Sequence, residues 1–144
     1  MVEYIYGHGR QDLIGIIIRA RYRSEGIQFF TPGKLSQQLA YMSRPAGYVI
    51  PPHVHNPVLR EVASTQEVLF IRSGQVRVDF YTQDRDYLES RILESGDVIL
   101  LAGGGHGFEM LKPTEIVEVK QGPYSGERDK TRFEPVSRDS TRVP

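Results

Sequence analysis

His53 and His55 flank a single valine, and residues two apart on an extended chain point to the same side. Two imidazoles placed in this way can reach one cation, and imidazole is the commonest metal-ligating side chain in proteins. A third histidine, His106, follows the run Gly103 to Gly105, so three of the four histidines stand beside turn signals in the centre of the chain. There is no cysteine, which excludes thiolate ligation, a disulfide framework and a cysteine nucleophile. Any metal must therefore rest on imidazole and carboxylate. A His-x-His triplet also fits surface or hydrogen-bonded histidines, so its meaning depends on the elements around it. His8, between Gly7 and Gly9 near the start, reads as a surface residue.

The surrounding elements read as short strands. Turn signals at Ser24-Glu25-Gly26 and Thr31-Pro32-Gly33 separate the segments 13–20, 27–30 and 35–43, the last of which also fits a short helix. Ala46-Gly47 and Pro51-Pro52 frame an extended piece over 48–50, because consecutive prolines resist helix. In 75–81, Val76, Val78 and Phe80 alternate with Gln75, Arg77 and Asp79, the period of a half-buried strand. Ser73-Gly74 ties it to 67–72 as a hairpin. Strands then follow over 87–93, 98–101, 108–111 and 115–120, with Asp84 to Asp86, Ser95-Gly96-Asp97 and the glycine run between them. This spacing predicts an all-β sandwich or barrel.

The segment around the triplet resembles the first sequence motif of the cupin superfamily. Five residues separate Gly47 from His53-Val54-His55, and six separate Glu67 from Gly74, as in that motif. The departure is the longer insertion 56–66 between the triplet and Glu67. A second cupin motif is matched in part: Gly96 is followed by five residues and then Ala102-Gly103-Gly104-Gly105-His106, with Ala102 in place of a proline, one residue fewer before the histidine, and Met110 in place of an asparagine. The resemblance implies a double-stranded β-helix, or jelly-roll, barrel. It also implies one divalent ion (Fe, Mn, Ni, Zn or Cu) held by His53, His55, Glu67 and His106. Glu61, in the insertion, is the alternative carboxylate.

If Glu67 and His106 are ligands, strand alternation turns Leu69, Ile71, Phe108 and Met110 inward and gives the site an apolar floor. The resemblance permits a metal-dependent enzyme acting on a small polar molecule, an isomerase, epimerase or oxygenase, with Arg60, Glu61, Tyr48 and Gln38 as candidates for positioning substrate or moving protons. It equally permits a non-catalytic binding or sensing module, and the histidines of a scaffold protein would simply pack. The glycine run lacks the Lys-Ser or Lys-Thr of a phosphate loop.

Composition bounds the partners. At 144 residues the chain suits one domain, read as an N-terminal strand or arm over 1–23, a barrel over 24–122 and a charged tail over 123–144. Lys plus Arg equals Asp plus Glu at 18 each, so no field of one sign draws in nucleic acid or an anionic membrane. The first apolar run, 13–18, is too short for a membrane span, which gives a cytoplasmic expectation. The tail holds few apolar residues and reads as solvated unless Phe133, its only aromatic beyond Ser125, anchors it. Strand-like 13–20 and open sheet edges predict a homodimer formed by strand exchange or sheet extension.

Overall fold

The computed structural model describes residues 1–144, and the protein is all-β with two short 3-10 turns near its C-terminus. It divides into two compact units, Met1–Tyr22 with Thr65–Pro144, and Arg23–Ser64. No helix is long and apolar enough to cross a membrane.

The first unit contains two sheets. One has the order β1-β2-β8-β5-β10, from Val2–Tyr6 (β1), Leu13–Ile18 (β2), Val98–Leu101 (β8), Glu67–Ser73 (β5) and Glu115–Lys120 (β10). The other has the order β7-β6-β9, from Tyr87–Glu94 (β7), Gln75–Tyr81 (β6) and Gly105–Met110 (β9). From β5 onward the chain moves between them, with β5 in the first, β6 and β7 in the second, and β8, β9 and β10 alternating. Their inner faces share one core: Ile5, Ile14, Ile17, Leu69, Ile71, Ile99 and Leu101 meet Val76, Val78, Phe80 and Leu93. The two-residue alternation of β6 does what its pattern requires, since Val76, Val78 and Phe80 are each 0% exposed. Every adjacent pair of strands is antiparallel, and the ladders stop at β1 and β10 and at β7 and β9 instead of closing into a ring.

Gly74 makes the β5–β6 link possible. Its φ of +91° is a backbone setting that side chains disfavour, and a Cβ there would stand 2.6 Å from the Thr114 Cα. Just ahead of β8, Asp97 ties the turn down: its carboxylate accepts from the backbone N–H of Ala20 and of Glu94 and pairs with Arg19.

Two expectations change here. The segment expected to exchange between subunits, β2, is an interior strand paired with β1 and β8, and it is nearly all buried. The edges of the two sheets are instead β1, β10, β7 and β9. The C-terminal segment, read as solvated unless Phe133 anchors it, lies against the outer face of β6 and β7. Phe133 stands edge-on to Tyr81 at 5.0 Å, Val136 N–H donates to the Tyr81 hydroxyl, and Arg142 N–H donates to that of Tyr87. Beneath it, the buried Asp79 carboxylate is held by Arg77 in a two-pronged contact and by the Ser90 hydroxyl, so the outward polar positions of β6 are satisfied.

The second unit is sparse. Gly26–Phe29 (β3) and Ala40–Ser43 (β4) pair as a hairpin, and no element follows before β5. Of the expected strand 35–43 only the last four residues form one. Gln38 explains the rest: its amide donates to the carbonyls of Pro32 and Leu35, fixing a turn in which the chain cannot extend.

Candidate metal centre

Glu67 opens β5, opposite Leu101 of β8 on one side and Lys120 of β10 on the other. Its side chain shares a face with Leu69 and Ile71, and burial of all three confirms that this face looks inward. Such a carboxylate needs compensation, because transferring a charge out of water costs several kcal/mol unless it is paired. Two side chains supply it. His106 Nε2 lies 3.4 Å from Oε2, and Lys120 Nζ lies 3.3 Å from Oε1.

His106 arrives from the other sheet, on β9 opposite Phe80. The turn that delivers it depends on Gly104, whose φ is +63° and whose hypothetical Cβ would stand 2.7 Å from Ile14 Cδ1. The hydrogen bond from His106 is the main reason the Glu67 carboxyl titrates below its ordinary range; Lys120 adds to the effect, and burial opposes both. Desolvation pulls the Lys120 amine down, but its pairing with Glu67 wins and leaves it above the usual lysine value.

The spacing has a second meaning. Two ligands each about 2.1 Å from one ion stand between about 3.0 Å apart at a right angle and about 3.4 Å apart at a tetrahedral angle. The His106 nitrogen and the Glu67 oxygen lie 3.4 Å apart, at the upper end of that range, so the pair is as well set for a shared cation as for a hydrogen bond.

His53 and His55 lie in the second unit, both exposed, with ring centroids 5.3 Å apart and the rings edge to face. His53 Nδ1 is 2.9 Å from the Pro51 carbonyl oxygen. A proton on Nδ1 donated to that oxygen leaves Nε2 as the free ligand atom, which is how ligating histidines are commonly oriented. The four expected ligands therefore form two pairs, one in each unit, and no group of three or more His, Asp or Glu side chains gathers as a metal site.

The remaining candidates fare differently. Gln38 is committed to its own loop, donating as described and accepting from Thr31 Oγ1, which removes it as a substrate-handling group. The ring of Tyr48 carries the Arg44 guanidinium 4.5 Å above it. Arg60 and Glu61 are exposed in the stretch without elements. Glu61 has no structural claim to match the buried, doubly paired Glu67. Leu69 and Ile71 are buried as expected, but Phe108 and Met110, on the inward face of β9 beside His106, are 39% and 52% exposed. The cause is that β9 is an edge strand covered on one side only. Sequence reading missed Lys120. The signal was there in the alternation of β10, which puts Ile116, Glu118 and Lys120 on one face, but only the register with β5 identifies that face as the one bearing Glu67.

Comparison of the chain with protein-family models, with curated proteins and with solved structures finds no match.

Proposed function

We propose that this chain is a metal-binding protein of cupin type in which His53, His55, Glu67 and His106 hold one divalent ion. The observation that carries the reading is the pairing of Glu67 with His106, a buried carboxylate and an imidazole nitrogen from two different sheets at the spacing of two ligands on one cation. The alternation of successive strands between the two sheets supports the jelly-roll reading. Three neutral imidazoles and one carboxylate suit Fe, Mn, Ni, Zn or Cu. A six-coordinate ion held by these four side chains would supply a Lewis acid, or an oxygen-binding site, with two positions left open for a small polar molecule. Leu69 and Ile71 keep water from beneath Glu67, which strengthens every charge interaction made there. The orientation of His53 through Pro51 leaves one nitrogen ready to bind. Arg60, Glu61 and Tyr48 remain the candidates for positioning a substrate or moving protons, in an isomerisation, an epimerisation or an oxygen-dependent cleavage.

The second reading is a module that binds its ligand without turnover. It is favoured by the commitment of Gln38 to its own loop, which engages one of the candidate substrate-handling groups elsewhere. The two readings differ in whether a candidate small molecule is consumed by the metal-loaded protein.

Elemental analysis of protein purified without added metal tests the centre. About one ion per chain is expected, lost at least tenfold in affinity on His106→Ala and on His53→Ala, since each removes a ligand. Wild-type protein without stoichiometric metal, or metal content unmoved by both substitutions, refutes it. A homodimer belongs to the same reading, through the free edge of β10, where Val117 and Val119 are half exposed. Light scattering on the same preparation should then give twice the 16.4 kDa chain mass, and the single mass would exclude it.

A further inference from the structure

The two sheets end on four edge strands, and those edges are protected unequally. Along β7, the Arg142 carbonyl accepts from Ser90 N–H at 2.8 Å and its guanidinium donates to the Leu88 carbonyl at 2.6 Å. Arg19 donates to the Ile92 carbonyl, and Glu94 N–H donates to the Asp97 carboxylate. Strand β9 is weakened as a template by Gly105 and Gly107. Strand β1 is interrupted by a bulge between Ile5 and Tyr6, and its one charge, Glu3, is held by Arg19. Strand β10 has none of these devices.

Gln121 N–H donates to the Gln66 carbonyl, so the odd-numbered residues of β10 spend their main-chain groups on β5. The even-numbered ones, Ile116, Glu118 and Lys120, turn theirs to the edge. On the outer face Val117 and Val119 are 50% and 58% exposed, and Phe70, opposite Val117, is 41% exposed, so an apolar strip runs up to that edge. Two copies meeting there antiparallel share a two-fold axis, and the registers that pair most of the strand set the axis at Val117, Glu118 or Val119. At Glu118 two like carboxylates stand opposite each other, which is unfavourable. At Val117 each Glu118 faces an isoleucine. At Val119 each Glu118 faces a lysine, the Lys120 of the other copy, and the match occurs twice. The charges around Lys120 within its own chain, Glu67, Asp129, Lys130 and Glu127, are the same in every register, so the position of Glu118 decides between them.

We infer that β10 pairs with β10 of a second copy with Val119 on the two-fold axis, joining the two five-stranded sheets into one and bringing the partner's Glu118 beside Lys120. Glu67, Glu118 and Lys120 lie on the same inner face, so each copy supplies a carboxylate to the Glu67–Lys120 pair of the other. The inference rests on the homodimer proposed above and makes no use of a metal.

Three single-cysteine variants read the register, because the chain has no cysteine of its own. With Val119 on the axis, Val119→Cys meets its copy at a Cα separation of about 4.5 Å, within reach of a disulfide. Glu118→Cys then stands about 8 Å from its copy and Val117→Cys about 14 Å, both too far. In a glutathione redox buffer Val119→Cys is expected to form the linked dimer roughly tenfold faster, or more, than either other variant. Fastest linking at position 117 or 118 overturns the inference. The charge match is tested separately by light scattering over a dilution series: Glu118→Lys, at an exposed residue, should raise the dimer Kd by about tenfold or more, and Glu118→Gln by less. An unchanged Kd in Glu118→Lys overturns the inference as well. A wild type of single chain mass removes the homodimer itself, whereas a wild-type dimer with no preference for Val119→Cys keeps the homodimer and rejects this pairing.

Discussion

Strand β6 and the stretch Tyr48–His55 carry similar aliphatic residues and end in opposite situations. In β6, Val76, Val78 and Phe80 are fully buried, and the strand is paired on one side by β7 and on the other by β9. In the second stretch, Val49 is 73% exposed and Val54 84%, and every residue from 42 to 65 is exposed. Apolar content does not explain the difference. Val49 and Ile50 are adjacent, so they point to opposite sides, and Pro51 and Pro52 then remove two backbone donors in succession. A ladder cannot form along such a segment without gaps. Burial in this protein follows the combination of alternation and available backbone donors.

The largest expected effect tests that contrast directly. Phe80→Ala should destabilise the protein by about 3–5 kcal/mol in denaturant unfolding, the usual cost of removing a large buried ring, while Leu59→Ala, at a residue 97% exposed, should change stability by less than about 0.5 kcal/mol. Comparable losses at both sites would mean that residues 42–65 bury more than their exposure indicates. An intermediate effect belongs to the C-terminal segment. Phe133→Ala should cost about 1–2 kcal/mol, in keeping with a partly buried ring, and should expose residues 125–144 to protease before the strands are cut. Unchanged cleavage would show that the segment is held by Val136 and Arg142 alone.

The smallest effect is electrostatic and sharpens the description of Glu67. Because its carboxyl is depressed in the folded protein, pairing there stabilises the metal-free fold above the unfolded value near 4.5, and this contribution is lost as pH falls through the lower folded value. Stability followed by urea unfolding across that acidic range should decline less steeply in Glu67→Gln. Parallel profiles for the two proteins would mean that His106 and Lys120 do not hold the charge.

Much of the strand pattern was legible because its signals are local. The alternation in 75–81, the Ser73-Gly74 link and the turn at Ser95-Gly96-Asp97 each need only a few neighbouring residues, and β6, β8 and β10 have the expected bounds. The first strand, β1, was missed because Val2–Tyr6 gains its structure from a partner, β2. The strand expected over 35–43 was shortened by the hydrogen bonds of Gln38, which chemical pattern alone does not announce. For the candidate centre, the resemblance to the cupin motifs singled out Glu67 and His106, and sequence reading overlooked Lys120 because register is a property of two strands together.

What the sequence by itself determined was the kind of protein: strands with polar turns, no thiols, and metal-capable side chains limited to imidazole and carboxylate. Tertiary structure alone decided which of those side chains meet. Glu67 and His106 are 39 residues apart and belong to different sheets, and only the packing of the two inner faces brings their donor atoms to 3.4 Å. Local sequence sets the backbone preference of each strand, whereas the choice of neighbours is made by the burial of a shared core, which is a non-local quantity.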